Sequence, residues 1–201
     1  MRMLRKPPRS LHQHALPIVE IEVSRLVRVS RRSTGEPYFG RTGANRFDDP
    51  GHPKAQRYGT CYCGLDLQVA MAETLLHDEV PVHGRFALAY SEFADRYRVR
   101  FDGTRLRLAN LTGADLKAFA GDGSLSTIVP YDVPQQWSRA IHRHPDGVDG
   151  ILYVSRHVNT KKAVVLFDRA QGKLGAASYV PLPQVKTALK VARSLHIAFD
   201  F

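Results

Sequence analysis

Hydrophobic and polar residues alternate along the first clearly patterned stretch of the chain. Between residues 18 and 29, isoleucine, valine and leucine recur among charged residues with a period that predicts a β-strand. Around residues 66–78 the apolar positions recur at helical spacing instead. Asp66 is a suitable N-cap and Pro81 follows the last periodic position, so this stretch predicts a helix.

The remaining patterned segments also mix strands and helices. Further strands are predicted at 57–64, 84–101, 105–110, 150–155 and 162–168. Further helices are predicted at 112–119 and 131–143, and a helical stretch followed by a short strand is predicted at the C-terminus. The mixture indicates an α+β fold.

Two segments lack a clear period. Residues 1–17 combine basic residues with prolines, which predicts a loosely attached basic N-terminal arm ahead of one domain at 18–201. Residues 31–56 are rich in glycine, proline and arginine, and a compact domain seldom keeps so long an irregular segment without a use for it. Such a composition suits a loop that closes over an anionic ligand.

Composition limits the class of protein. With 201 residues and 43% hydrophobic residues, the chain is long enough to bury a core. Its basic start at Met1–Ser10 is not followed by the apolar region of a secretory signal, and no apolar run spans a bilayer, so a cytoplasmic protein is expected. Cys61 and Cys63 are expected to be reduced thiols on one strand.

The formal net charge of +10 favours partners that carry negative charge. Such a partner could be nucleic acid, an acidic protein or a dinucleotide. The charge also fits a basic surface that has no partner and only keeps the protein soluble. The chain lacks a recognisable helix-turn-helix, zinc-finger or RNP-type motif, which counts against direct binding of nucleic acid.

A few polar residues occupy positions where chemistry is expected. Arg28 and Arg46 flank the glycine-rich loop and suit the gripping of a phosphate. Glu73 lies in the apolar run VAMAETLL, where an unpaired carboxylate is expensive. Ser155 ends a predicted strand, a position that presents a hydroxyl to a pocket. Each residue alone also fits a salt bridge, a solvated surface or an ordinary turn.

Taken together, these segments resemble the RES family, named for its arginine, glutamate and serine. The similarity runs from about residue 25 to residue 168, and its segments occur in the family's order and rough spacing: RLVRVS, GANRFDD, YGTCYCGLDLQVAMAETLLHD and DGILYVSR. The segment from Tyr62 to Glu73 and the segment that ends in Ser155-Arg156 are its most specific parts.

The resemblance implies a fold similar to ADP-ribosyltransferases, with NAD bound in the cleft of a split, twisted, mixed or antiparallel sheet with flanking helices. Residues 18–201 would then form the NAD-binding catalytic domain. Arg28 and Arg46 would hold the phosphates of NAD, and Tyr62 would orient the substrate. Glu73 would act at the nicotinamide-bearing ribose, and Ser155 would complete the pocket.

The function implied is that of a bacterial toxin that cleaves the nicotinamide–ribose bond of NAD. Phosphorolysis, with inorganic phosphate as co-substrate, is expected ahead of hydrolysis. Transfer of ADP-ribose to a protein and a basic nucleic-acid-binding module are the alternatives.

The implied partner is an antitoxin with an Xre-like helix-turn-helix domain, and a homodimer is left open. No cofactor beyond NAD and no metal is expected, because His142 and His144, with Asp146, are more typical of solvent-facing loop residues.

Overall fold

The computed structural model describes residues 4–200, so Met1–Met3 of the predicted arm and Phe201 lie outside it. Its strands are β1 (Ile18–Ile21), β2 (Arg28–Ser30), β3 (Thr60–Gly64), β4 (Phe86–Ala89), β5 (Tyr97–Gly103), β6 (Leu106–Leu111), β7 (Gly150–Val154), β8 (Lys162–Phe167), β9 (Leu174–Pro181) and β10 (Ile197–Asp200). Its α-helices are α1 (Leu67–Leu75), α2 (Tyr90–Ala94), α3 (Gly113–Ala120), α4 (Asp132–His142) and α5 (Ala188–Ser194).

The strands form a larger sheet, a smaller sheet and a short ribbon. The larger sheet has the order β1-β6-β7-β8-β3, and its pairs are antiparallel except for the parallel pair β6–β7. The smaller sheet is antiparallel with the order β2-β5-β9, and β4 pairs with β10 in parallel. Helices flank both sheets, so the fold is α+β as predicted.

The alternation of side chains in the larger sheet creates two core layers. In β7 and β8, Ile151, Tyr153 and Val165 face the helices α3 and α4, whereas Leu152 and Val164 face the smaller sheet. Because successive side chains of a strand point to opposite faces, a run of apolar residues such as β8 is buried on both sides. This explains why β8 has no polar face in the sequence.

The two sheets separate next to a single backbone pair. Val27 and Gly64 exchange both of their backbone hydrogen bonds at 2.9 and 2.8 Å, and this bridge connects the segment before β2 to the end of β3. Helix α1 packs against both strands at this junction. The split therefore lies beside α1, the helix that carries Glu73.

The predicted strand at 18–29 is wrong in its middle. After β1 the chain makes a 3₁₀ turn at Val23–Arg25 before it enters β2 in the other sheet. Val23 and Leu26 are fully buried, so tertiary packing requires a turn where the alternating pattern favoured a continuous strand. The predicted strand at 84–101 is likewise interrupted by the helix α2.

The description of residues 1–17 as a loosely attached arm is wrong for residues 4–17. Leu4, Leu11 and Leu16 are buried in the same core layer as α3 and α4. The indole nitrogen of Trp137 in α4 donates to the carbonyl of Arg5 at 2.8 Å. The apolar residues of this segment lie too far apart in the sequence to show a period. They nevertheless pack against the same core of the domain.

Other predictions at the element level agree with the structure. Asp66 caps α1, because its carboxylate accepts a hydrogen bond from the amide of Val69 at 2.9 Å. Cys61 and Cys63 are free, buried thiols on β3. Within residues 4–200, no helix combines the length and the apolar character that a bilayer span requires.

Candidate active site

A cavity of about 340 Å³ lies at the split between the two sheets. This volume falls within the range of small-molecule sites in proteins. Its walls come from β2, β3, α1, the loop before β3, the segment before α4 and the end of β7. The polar side chains that line it are those of Arg28, Asn45, Arg46, Tyr62, Glu73, Thr74, His77, Ser126, Tyr131, Tyr153 and Arg156.

Glu73 projects from α1 into this cavity and is held from behind by Ser155. The Ser155 hydroxyl donates to Glu73 Oε1 at 2.6 Å and accepts from the amide of Val158 at 3.1 Å. Ser155 is fully buried and is not among the residues that line the cavity. It therefore fixes the carboxylate of Glu73 rather than presenting its hydroxyl to the pocket, which differs from the expectation drawn from its position after a strand.

The environment of Glu73 disfavours its charge. Burial raises the pKa of Glu73 above its ordinary value, and the hydrogen bond from Ser155 and electrostatic interactions with His77, Arg156 and Arg46 offset only part of this rise. A carboxylate with a raised pKa in a cleft is a frequent feature of catalytic sites. Glu73 thus combines access to the cavity with a fixed geometry and a perturbed ionisation.

Arg28 on β2 is held by groups on both sides of the split. Its Nη1 donates to the carbonyl of Tyr62 at 2.8 Å, and its Nε lies 2.9 Å from Glu36 Oε2. Glu36 is itself fixed, because its carboxylate accepts from the Ser30 hydroxyl and from the amide of Tyr38, both at 2.7 Å. Arg28 is consequently a rigid cation in the cavity wall.

Tyr62 joins β3 to the long irregular loop at 31–56. Its hydroxyl donates to Asp48 Oδ1 at 3.1 Å and accepts from the amide of Phe47 at 3.0 Å. Asp48 also accepts from the hydroxyls of Thr60 and Thr42, at 2.6 and 2.9 Å. The hydroxyl of Tyr62 is occupied by these bonds, so its ring is the part that the cavity offers to a ligand.

Arg46 reaches the cavity from the same loop. Its Nη1 donates to the carbonyl of Ile128 at 2.6 Å, and its guanidinium carbon lies 4.6 Å from the ring centroid of Tyr131. Arg156, just after β7, donates to the hydroxyl of the same Tyr131 at 3.3 Å and to the carbonyl of His77 at 3.2 Å. Two guanidinium groups are therefore held beside one tyrosine.

This geometry agrees with the result of comparison against known families. The model of the RES domain matches residues 25–188, most of the chain. The chain belongs to the RES family. The segments that match include the loop with Arg46, the helix with Glu73 and the strand end with Ser155.

Relatives of this RES domain support the same assignment. The probable toxin y4kH of Sinorhizobium fredii (strain NBRC 101917 / NGR234) is 40% identical over 77 residues. The alignment covers 34% of the present chain and 58% of that relative.

The fold is similar to a chain in the crystal structure of the M. tuberculosis MbcT–MbcA toxin–antitoxin complex. The TM-score is 0.52 with 13% identity, over 77% of this chain and 82% of that chain. This likeness confirms the predicted class of fold.

The RES domain brings most of the predicted site residues together. The same cavity is lined by Arg28, Arg46, Tyr62 and Glu73. Ser155 does not line the cavity and is connected to it through its hydrogen bond to Glu73. Their roles toward a substrate stay predictions.

Sequence reasoning missed several residues of the cavity, His77, Ser126, Tyr131 and Tyr153, and it noted Arg156 without giving it a role. His77 stands four residues after Glu73, and this spacing would have indicated that the two side chains are neighbours on one face of a helix. Arg156 stands in the motif DGILYVSR, directly after the predicted serine.

Among the described residues, one group of possible metal ligands includes two residues that line the RES cavity. Ligand atoms of Glu73, His77 and His157 lie within 4.8 Å of one another. Burial and the charge of Arg156 lower the pKa of His157 to about 4, so its ring is neutral at pH 7. Its Nε2 is 3.2 Å from Arg156 Nε and accepts that hydrogen bond, and the adjacent guanidinium opposes a cation.

The histidines that the sequence analysis considered for a metal have structural roles. His144 is buried and its Nε2 lies 3.2 and 3.0 Å from the carbonyls of Leu11 and His14 in the N-terminal segment. His142 stacks on Tyr58 with ring centroids 4.0 Å apart. Their expected exposure to solvent is therefore wrong for His144, because the N-terminal segment covers it.

Proposed function

We propose that this RES protein is a toxin that cleaves the nicotinamide–ribose bond of NAD. The observation that carries the proposal is the carboxylate of Glu73, fixed by Ser155 inside a cavity that also presents three guanidinium groups and three tyrosine rings. Guanidinium groups suit a diphosphate, and aromatic rings suit the planar bases of a dinucleotide. A single carboxylate among them suits a reacting centre that becomes positive.

The proposed mechanism uses that carboxylate to stabilise the transition state. As the glycosidic bond breaks, its electron pair leaves with nicotinamide, which departs neutral and needs no proton. The ribose carbon then carries oxocarbenium-like positive charge, which a fixed, partly buried carboxylate stabilises. Arg28 and Arg46 orient the remote half of NAD, so that binding energy positions the reacting half.

Phosphorolysis is the form of the reaction that we propose. An oxygen of hydrogen phosphate attacks the ribose carbon and forms ADP-ribose 1″-phosphate, so atoms and charge balance without another reactant. The cationic cavity supports the entry of an anion as the acceptor. Water or a protein side chain as acceptor gives hydrolysis or ADP-ribosylation, and product analysis separates these outcomes.

We also propose an antitoxin as the protein partner. The similar fold comes from a toxin–antitoxin complex, and one relative is described as a probable toxin. An antitoxin with an Xre-like helix-turn-helix domain fits this arrangement. Co-expression with the product of a neighbouring gene, followed by purification of a stable complex and an assay of growth, tests this partner.

Replacement of Glu73 by glutamine tests the proposed activity. We expect turnover of NAD to fall by roughly 10²–10³-fold, the range seen when one transition-state stabilising group is removed. Glutamine retains an oxygen for the Ser155 hydrogen bond, so the fold is expected to persist. Proton NMR of NAD with and without phosphate measures the loss of substrate and identifies nicotinamide and the second product.

Stability provides an independent readout of the same variant. A raised pKa in the folded state means that stability is present at acidic pH and lost as pH rises through the folded pKa. Above that pH the wild type bears the cost of a buried charge, so Glu73→Gln is expected to unfold at the same or a higher denaturant concentration. Glu79→Gln, an exposed position outside the cavity, is the matched control and is expected to keep full turnover.

Near wild-type turnover by a folded Glu73→Gln variant would contradict the role of this carboxylate. Intact NAD in the presence of phosphate, with wild-type protein, would contradict phosphorolysis. Label from NAD on a protein band of a lysate would support ADP-ribosyl transfer instead.

A further inference from the structure

Two hydrogen-bonding side chains in the cavity are buried without a partner. Arg46 is 7% exposed and its Nη2 has no hydrogen-bond acceptor among the described residues. Ser126 is 2% exposed and its Oγ likewise lacks a partner among residues 4–200. Both residues line the same cavity. A buried polar atom without a partner is costly, so two of them beside one cavity indicate a missing ligand.

Arg46 contacts the short segment of the chain that carries Ser126. Arg46 Nη1 donates to the carbonyl of Ile128, two residues after Ser126. The cation–π contact between Arg46 and Tyr131 holds the guanidinium against the same segment. The orientation of Arg46 is therefore fixed by bonds that leave its second terminal nitrogen unused.

Arg156 adds a second positive charge to this wall of the cavity. It donates three hydrogen bonds, to His157, Tyr131 and His77. A guanidinium has five N–H donors, so two remain for a ligand. Tyr131 contacts one guanidinium with its ring and the other with its hydroxyl, and thus keeps both charges at the same place.

Like charges held together in a partly buried site are unfavourable unless an anion neutralises them. Burial lowers the pKa of Arg46, and the neighbouring Arg156 lowers it further. Both arginines also act electrostatically on Glu73. Their positive charges are therefore concentrated at the part of the cavity that contains Glu73.

We propose that Arg46, Ser126 and Arg156 form a phosphate-binding subsite beside Glu73. A phosphate group presents several oxygens in a tetrahedral arrangement, so it accepts bonds from donors on different elements at the same time. A carboxylate, which is planar and has two oxygens, satisfies fewer of these donors. Arg46 comes from the loop before β3, Ser126 from the segment before α4 and Arg156 from the end of β7.

Two sources of phosphate fit this chemistry, and this part of the inference rests on the proposed function. One is inorganic phosphate, which beside Glu73 would be placed to attack the ribose carbon. The other is a phosphate of NAD itself, which is the role proposed above for Arg46; with inorganic phosphate in this subsite, Arg28 alone of the two would orient the remote half of NAD. The binding experiment below uses both ligands separately, so that the source is measured rather than assumed.

The experiment measures binding of inorganic phosphate and of NAD by isothermal titration calorimetry. Wild type is compared with Ser126→Ala and Arg156→Gln. The controls are Ser178→Ala and Arg193→Gln, which change exposed residues outside the cavity. For one of the two ligands, we expect affinity to fall roughly tenfold or more in Arg156→Gln and several-fold in Ser126→Ala, with no change in the controls.

Ser126→Ala is the more selective of the two variants. Its hydroxyl makes no hydrogen bond to the described residues, so its removal breaks no hydrogen bond within the protein. We expect this variant to melt at the same or a higher temperature than wild type while it binds phosphate less well. A lower affinity together with unchanged or increased stability is an outcome that a purely structural serine does not produce.

The outcomes separate this subsite from the proposed reaction. Weaker binding of inorganic phosphate identifies the acceptor, and weaker binding of NAD alone identifies the dinucleotide. Unchanged affinities for both ligands in folded variants, or no binding of either ligand by wild type, would overturn the subsite. Because calorimetry needs no turnover, the subsite is tested even if NMR detects no cleavage of NAD.

Discussion

At the scale of single residues, the site depends on what surrounds each ionisable group. Glu73 is accessible from the cavity, yet its carboxylate is bound by the fully buried hydroxyl of Ser155. Burial raises the pKa of Glu73 and this hydrogen bond partly offsets the rise. Ser155 is therefore a positioning residue, which acts on the reaction through Glu73.

Replacement of Ser155 by alanine tests this role. The acidic limb of the profile of kcat/KM against pH is expected above the ordinary range of glutamate in wild type. Loss of the hydrogen bond removes an effect that lowers the pKa of Glu73, so the limb is expected to move to still higher pH. Activity at neutral pH is expected to fall about tenfold or more, since a hydrogen bond to a charged group contributes about 1.5–3 kcal/mol.

The direction of the pH shift distinguishes positioning from a general loss of structure. A variant that loses activity equally at every pH would contradict the proposed link between Ser155 and the ionisation of Glu73. Ser178→Ala, at an exposed position of β9, is expected to keep the wild-type profile.

At the scale of elements, the approach of α1 to β3 positions Glu73. A Cβ atom at Gly64 would lie 2.6 Å from the backbone nitrogen of Ala70 and 2.8 Å from the carbonyl of Asp66. Helix α1 and strand β3 are thus so close that any side chain at position 64 would require one of them to move. The same glycine makes the backbone pair with Val27 that connects the two sheets.

Gly64→Ala is expected to shift α1 and to destabilise the protein by about 1–3 kcal/mol, the usual effect of overpacking. The cleavage of NAD is expected to fall with it, because a displacement of about 1 Å at a reacting group costs on the order of 10²-fold in rate. Urea unfolding and the NAD assay measure the two effects.

Gly172→Ala provides the matched control, since a Cβ at Gly172 meets no atom within 4 Å. Equal stability and activity of the two variants would show that α1 has space to adjust.

At the scale of the whole molecule, the N-terminal segment completes the core behind the larger sheet. Leu11 is 6% exposed and lies in the core layer that also contains Trp137, while His144 contacts two carbonyls of this segment. The amide of Leu16 donates to Asp146 at 2.8 Å. The segment is therefore part of the domain and covers its helices.

Leu11→Ala is expected to lower the free energy of unfolding by about 2–4 kcal/mol, because removal of buried leucine atoms leaves a cavity. Gln13→Ala, an exposed change in the same 3₁₀ turn, is expected to have almost no effect. Denaturant titrations of both variants measure the difference. Equal midpoints would mean that the segment is loosely attached, as its sequence suggests.

The local pattern of the sequence was sufficient for some elements. Helix α1 begins where Asp66 and the apolar spacing predict, and β7 and β8 follow from continuous apolar runs. These features depend on residues within one or two turns of chain, where periodicity and capping are decisive. The order of the RES motifs was also enough to collect Arg28, Arg46, Tyr62 and Glu73 as candidates for one site.

Only the tertiary structure decided how distant segments meet. Buried contacts with residues far away in the sequence determine three features. These are the turn after β1, the attachment of the N-terminal segment and the position of Ser155 behind Glu73. Arg46 and Ile128, separated by 82 positions, show the same for the phosphate subsite. Such contacts form because packing must bury apolar surface and satisfy polar groups throughout the molecule, a condition that a local pattern does not record.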